Sequence, residues 1–128
     1  MSKIVVISIA LTLAISSLGA RAEPPSARLA TTFGNTILSI YPDGRSQKIW
    51  MQPDGSWTGR SRRGRPLAGT WKIKGEKVCL RQTSPPTLPI SFCQVLPSDP
   101  AVGVDAKDVV GTSIHLELVK GHVVRPPG

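Results

Sequence analysis

Four glycines, Gly44, Gly55, Gly64 and Gly75, divide the middle of the chain at intervals of 11, 9 and 11 residues. The first two end Pro-Asp-Gly sequences, in which proline fixes φ and glycine supplies the positive φ that a tight turn requires. The runs between the glycines are short and rich in β-branched and apolar residues. This spacing predicts an antiparallel meander in which each strand ends in a tight turn.

The whole chain gives about seven or eight short strands, and a sheet of that size without long helices must curl or double over to hide one face. We therefore predict an all-β fold, either a small open barrel or a two-layer sandwich. The strand Ile114–Val119 has the clearest alternation of apolar and polar residues. We expect a last short strand at His122–Val124, and a connector at Pro97–Gly111 with one helical turn within 105–110.

Residues 1–22 are typical of a secretory signal peptide, with Lys3, an apolar run and the small-residue ending Ala20-Arg21-Ala22. The apolar run is only about 15 residues long, whereas a membrane-spanning helix needs roughly 20. We expect cleavage before Glu23 and no transmembrane segment in the mature chain. Export places the protein in the periplasm or outside the cell. Residues 23–32 are predicted to be a flexible leader, 33–125 a single β domain and 126–128 a C-terminal tail.

Cys79 and Cys93 are separated by 14 residues and occupy two strand-like runs. Because exported proteins fold in oxidising compartments, this pair predicts a structural disulfide, worth about 3 kcal/mol for a loop of this size. Two thiols are too few for a metal site, and the spacing is not that of a redox-active pair. The proline-containing segment Thr83–Pro89 would then form a long hairpin loop between the two strands.

Positive charge is concentrated in the meander: ten Lys or Arg and two acidic residues lie from Arg45 to Arg81, in a chain of net charge +8. Its densest part is a basic tip formed by Arg60, Arg62, Arg63 and Arg65. We predict anion binding there, with an anionic lipid, lipopolysaccharide or an acidic polymer as partner, because arginine pairs well with phosphate and carboxylate groups. The alternative is that these charges only keep sheet edges apart and the protein in solution. Nucleic acid is not an expected partner.

Catalytic signals are weak. His115 and His122 do not converge in the predicted hairpin, and neither has a neighbouring nucleophile in sequence. His115 and Glu117 share a strand face, which is half of a metal site or, more simply, a solvated surface. We expect no catalytic site, no metal and no cofactor.

Several motifs together resemble a known group of small secreted proteins of the Gram-negative envelope. The matching residues are Tyr41-Pro42-Asp43-Gly44, Gln52-Pro53-Asp54-Gly55, Gly69-Thr70-Trp71, Cys79-Leu80, Phe92-Cys93 and Leu118-Val119-Lys120-Gly121. The resemblance covers residues 33–125 and implies a β fold with a cysteine pair. That group has no assigned activity, so it implies no site residue. The third turn, Arg62-Arg63-Gly64-Arg65, departs from the Asp-Gly turn expected there.

The function predicted from the sequence is that of an exported, non-catalytic β protein with a binding or structural role, in which the basic tip contacts anionic envelope components. The alternative is a β-barrel that binds a small apolar ligand or inhibits a protease through the Thr83–Pro89 loop. A hydrolase is a third class.

Overall fold

The computed structural model describes residues 4, 5, 10 and 25–124. The predicted signal peptide, residues 1–22, lies outside this part apart from those three positions, and so does the predicted tail, 126–128. The elements are α1 (Pro25–Ala30), β1 (Thr36–Ile40), β2 (Ser46–Met51), β3 (Ser56–Arg60), β4 (Pro66–Lys74), β5 (Lys77–Ser84), β6 (Ser91–Gln94), β7 (Val104–Lys107) and β8 (Ser113–Val119). None of the helices in the described part is long and apolar enough to cross a membrane.

The eight strands form one antiparallel sheet in the order β6-β5-β4-β3-β2-β1-β8-β7. The sheet curls into a nearly closed barrel, with β6 and β7 as its two edges, which confirms the predicted small open barrel. Six strands follow one another as a meander, and β8 returns to pair with β1.

The two Pro-Asp-Gly sequences form the tight turns that were predicted. Gly44 and Gly55 have φ values of 81° and 90°. The carboxylates of Asp43 and Asp54 each accept a hydrogen bond of 2.9 Å from the backbone N–H two residues later. Each side chain thus supports the turn that its own backbone makes.

Strand register determines which side chains face into the barrel. Ile37 lies opposite Ile49 on β2 and opposite Leu118 on β8, and all three are buried. On β5 the inward residues are Val78 and Leu80, as predicted. This shared inner face forms the hydrophobic core.

Cys79 and Cys93 lie directly opposite each other on β5 and β6. Their sulfur atoms are 2.08 Å apart, so the predicted disulfide bond is present. It links the edge strand β6 to the rest of the barrel.

The predicted flexible leader needs a correction, because residues 25–32 belong to the folded domain. Pro25 begins α1, a position where the missing N–H of proline is tolerated. Leu29 of this helix is only 3% exposed and belongs to the core. Phe33 follows and its ring lies 6.1 Å from that of Trp71. Together they close the barrel end at which β1 begins.

Two further assignments differ from prediction. The connector Pro97–Gly111 contains the strand β7 instead of a helical turn, because Val104 and Ala106 pack on the core. His122–Val124 is not a strand, since the Val123 N–H donates to the Thr36 hydroxyl at 2.9 Å and not to β8. Instead His122 stacks on Trp50 outside the barrel, with ring centroids 3.9 Å apart.

Candidate ligand-binding site

One end of the barrel is open, and its position follows from the strand order. β1 runs from the end closed by α1 toward Tyr41, so the connections β1–β2, β3–β4, β5–β6 and β7–β8 all lie at the far end. We call this end the mouth. The basic tip is the β3–β4 connection, which places it at the mouth as well.

A cavity of about 380 Å³ opens at the mouth and extends into the barrel. Its deep part is apolar and consists of inward side chains that are also part of the core, namely Ile49, Trp57, Leu80 and Ile114, each less than 9% exposed. The Trp57 indole ring packs against Gly69, where a Cβ atom would come within 2.6 Å of the ring. The size is within the range of ligand pockets, roughly 300–1,000 Å³.

Apolar side chains also surround the opening of the cavity. Leu88 and Ile90 in the β5–β6 connection are 73% and 49% exposed, and Val109 and Val110 in the β7–β8 turn are 54% and 81% exposed. We call these four residues the apolar rim. Side chains of this kind on two separate loops, facing one cavity, are typical of a binding surface.

The loops that carry the rim are held by polar contacts. The Asp108 carboxylate accepts hydrogen bonds from the backbone N–H groups of Val110 and Thr112, at 3.0 and 2.8 Å. On the other side, the Gln82 amide donates to the Pro85 carbonyl at 2.8 Å. Both turns are therefore fixed by side chains that also line the cavity.

Tyr41 and Asp108 form the polar side of the mouth. Burial raises the pKa of the Tyr41 hydroxyl above its usual value, and the negative charge of Asp108 raises it further, whereas Arg62 opposes this shift. The Arg62 guanidinium lies over the Tyr41 ring, 3.9 Å from its centroid. It also approaches the Asp43 carboxylate at 4.0 Å. Tyr41 is thus neutral at ordinary pH and is covered on one face by a cation.

A second, open depression of about 500 Å³ lies on the outer wall beside the mouth. Four basic side chains line it, those of Arg45, Lys48, Arg60 and Arg62, and no acidic side chain of the described residues does. We call it the basic depression. Arg60 is held across its hairpin by donating to the Gly64 carbonyl at 3.1 Å.

The structure thus brings together part of the predicted anion-binding set. Arg60 and Arg62 line the basic depression, whereas Arg63 and Arg65 lie outside its lining. Lys48, which the sequence places only near the arginines, is the most buried of these cations, with 7% of its surface exposed.

The histidines lie outside both cavities. His115 is on the outer face of β8, where its Nδ1 is 2.8 Å from Asp105 and its Nε2 is 3.6 Å from Glu117. Within residues 25–124 no group of three or more potential ligands is arranged to hold a metal ion. The predicted pair of His115 and Glu117 lies on the outer face of β8, where His115 is placed between the Asp105 and Glu117 carboxylates.

Sequence reasoning missed the cavity lining. The lining could have been recognised from apolar residues in segments where loops are usually polar. These are Leu88 and Ile90 in a proline-rich segment, and Val109-Val110 just before a turn glycine. These residues are far apart in sequence, and only the closure of the sheet brings them to one opening.

Comparisons with family models, with curated proteins and with solved structures found no match for this chain. The resemblance to small envelope proteins therefore stays a prediction. Function has to be inferred from the shape and the charge of the mouth.

Proposed function

We propose that this protein is an exported, non-catalytic binding protein that holds the apolar part of a small ligand in the mouth of its barrel. The observation that carries this proposal is the cavity of about 380 Å³ with an apolar interior and an exposed apolar rim. Of the functions predicted from the sequence, the alternative of a barrel that binds an apolar ligand agrees best with this geometry.

The exposure of the apolar rim supports a binding role. Leaving an aliphatic side chain in water forfeits about 1.5–3 kcal/mol of burial free energy. Leu88 and Val110 are 73% and 81% exposed, so most of this burial free energy is not gained in the protein without ligand. A ligand that fills the cavity and covers the rim would recover it.

The lining also supports the absence of catalysis. Among its polar residues are Ser39, Tyr41, Gln47 and Asp108, and no histidine or lysine accompanies them. A hydroxyl nucleophile needs a nearby general base. Here the Oδ1 atom of Asp108 accepts two backbone N–H groups, and the pKa of the adjacent Tyr41 hydroxyl is raised by burial and by Asp108, which keeps that hydroxyl protonated. The hydrolase and protease-inhibitor alternatives have no comparable support in this site.

Export rests on the signal-peptide pattern of residues 1–22 and is consistent with the disulfide bond. We propose the periplasm or the extracellular space as the location.

The test is titration of the purified protein with a neutral, environment-sensitive probe such as N-phenylnaphthylamine. We expect saturable enhancement of probe fluorescence and energy transfer from Trp57, which lines the cavity. Ser39→Leu, which places a larger side chain inside the cavity, should abolish binding. Ser113→Leu, on the exposed outer face of β8, is the matched control. Equal binding to both variants would contradict the proposal.

A second candidate function, favoured by the basic depression, is attachment to an anionic envelope component such as an anionic lipid, lipopolysaccharide or an acidic polymer. Contacts of arginine with phosphate at a surface weaken as salt screens the charges. Binding to anionic vesicles should therefore fall steeply with salt, and it should be lost when Arg60, Arg62, Arg63 and Arg65 are replaced by serine. Binding that is insensitive to both changes would exclude this candidate.

A further inference from the structure

The cavity and the basic depression share a wall. Tyr41 lines the cavity, Arg62 lines the depression, and the guanidinium of Arg62 rests on the Tyr41 ring at 3.9 Å from its centroid. A molecule that leaves the cavity past Tyr41 therefore meets Arg62 as its first positively charged neighbour.

Two cations of the depression, Lys48 and Arg60, have no acidic partner within the described residues, whereas Arg62 approaches the Asp43 carboxylate at 4.0 Å. Lys48 is 7% exposed, and it makes no salt bridge within the described residues. Arg60 lies directly opposite Lys48 in the β2–β3 register. Like charges opposite each other destabilise a sheet. An anion bound between the two cations would replace this repulsion by attraction.

We propose that the ligand is a single anionic amphiphile, whose hydrocarbon chain fills the cavity and whose carboxylate or phosphate group lies in the basic depression against Arg62 and Lys48. This inference rests on the proposed function and assigns the chemical class of its ligand. The guanidinium group pairs with both kinds of oxyanion through two parallel hydrogen bonds.

Charge also fixes the orientation of the ligand. The Asp108 carboxylate lies on the cavity side of Tyr41, whereas the four cations lie on the outer side. An anionic group inside the cavity would face a like charge in apolar surroundings, which is strongly unfavourable. The chain therefore enters first and the head group stays outside.

The experiment compares three ligands that share one chain, namely dodecanoic acid, dodecyl phosphate and dodecanol, as competitors of the neutral probe. At low salt, the acid and the phosphate should bind at least about tenfold more tightly than the alcohol, as expected for charge-assisted hydrogen bonds. In the double variant Arg62→Gln and Lys48→Met this difference should disappear, while the affinity for dodecanol stays unchanged. Arg63→Gln, on the same hairpin but outside the depression, is the control.

A second measurement separates a loss of binding from a loss of fold. Because Lys48→Met removes the repulsion between Lys48 and Arg60 and keeps a side chain of similar length, the variant without ligand should melt at the same or a higher temperature than the wild type. Butanoate and inorganic phosphate should compete only weakly, since they carry the charge without the chain. Strong competition by inorganic phosphate would point to a free-anion site and overturn the inference.

The outcomes distinguish this inference from the proposed function. If all three ligands bind equally well to the wild type, the cavity binds chains and the assignment of an anionic head group is wrong. The assignment of an anionic head group is also wrong if dodecanoic acid still binds more tightly than dodecanol in the double variant. If neither the probe nor any of the three ligands binds, the proposed function fails as well.

Discussion

Filling the cavity by a single substitution tests whether the space inside the barrel is real. Ser39 lies in β1 between Gln47 on β2 and Leu116 on β8, is 5% exposed and lines the cavity. Ser39→Leu replaces a hydroxyl by a branched hydrocarbon that points into the empty volume. The substitution should stabilise the protein while it removes ligand binding, a combination that a merely damaging mutation does not give.

The expected size follows from the groups that are added. Leucine brings three more carbon groups than the serine Cβ, worth about 2.4 kcal/mol at ~0.8 kcal/mol for each buried methylene. Ordering the leucine side chain costs about 0.5–1 kcal/mol, which leaves a net gain of about 1.5 kcal/mol. For a domain of this size the melting temperature should rise by about 6–12 °C.

Thermal unfolding followed by circular dichroism, together with probe titration, measures both effects. If the position were already well packed, the leucine would overpack it and destabilise the protein by about 1–3 kcal/mol. A lower melting temperature of Ser39→Leu would therefore refute the presence of the cavity. A higher melting temperature with unchanged probe affinity would refute the role of the cavity in binding. Ser113→Leu, exposed on β8, should change neither quantity.

Three further predictions concern the scaffold. Replacing both cysteines by alanine should lower the free energy of unfolding by about 3 kcal/mol in urea titrations, because the unfolded chain gains freedom; no change would show that the cross-link is energetically neutral. Gly69→Ala should destabilise by at least about 1–3 kcal/mol, because the new Cβ would overlap the Arg81 carbonyl oxygen and the Trp57 indole ring. The tryptophan emission should change as well, and an unchanged spectrum would contradict this. Hydrogen bonds from Ser56 lower the pKa of Asp54 in the folded protein. The ionised carboxylate therefore stabilises the fold at pH values above the unfolded pKa of about 3.9, and this stabilisation is lost as the pH falls through the lower pKa of the folded protein. The melting temperatures of wild type and Asp54→Asn should therefore differ at neutral pH and converge in acid; a constant gap would argue against a charge effect.

The sequence predicts the sheet well where local turn chemistry determines structure. The glycines at 44 and 55 need positive φ, and their neighbouring aspartates support the turns, so these hairpins form from nearby residues alone. The strand β7 was missed because its only apolar positions are Val104 and Ala106, too few for a periodic pattern. Its hairpin with β8 is nevertheless closed by a local turn, in which Gly111 has a φ of 85° and the Asp108 carboxylate accepts backbone hydrogen bonds.

The candidate site was harder to predict than the fold. The alternation in β2 separates Gln47 and Ile49 from Lys48 and Trp50 but leaves open which set faces the core. Once the barrel closes, Ile49 lines the cavity and Lys48 lies in the basic depression. One strand thus contributes to both parts of the site through its two faces. The arginine-rich sequence was a visible signal, whereas Lys48 became significant only through its burial.

The two ends of the barrel differ because, within residues 25–124, the chain provides one helix to close them. α1 places Leu29 in the core at the end where β1 starts. At the mouth, Val110 stays largely in water, and Lys48 faces Arg60 across the β2–β3 pair. Each of these arrangements opposes the stability of the empty protein. Stability alone would favour a second closed end with neutral side chains, so the mouth is better explained as a surface that becomes favourable when an anionic amphiphile covers it. On this reasoning, substitutions that stabilise the mouth, such as Ser39→Leu or Lys48→Met, should be the ones that weaken binding.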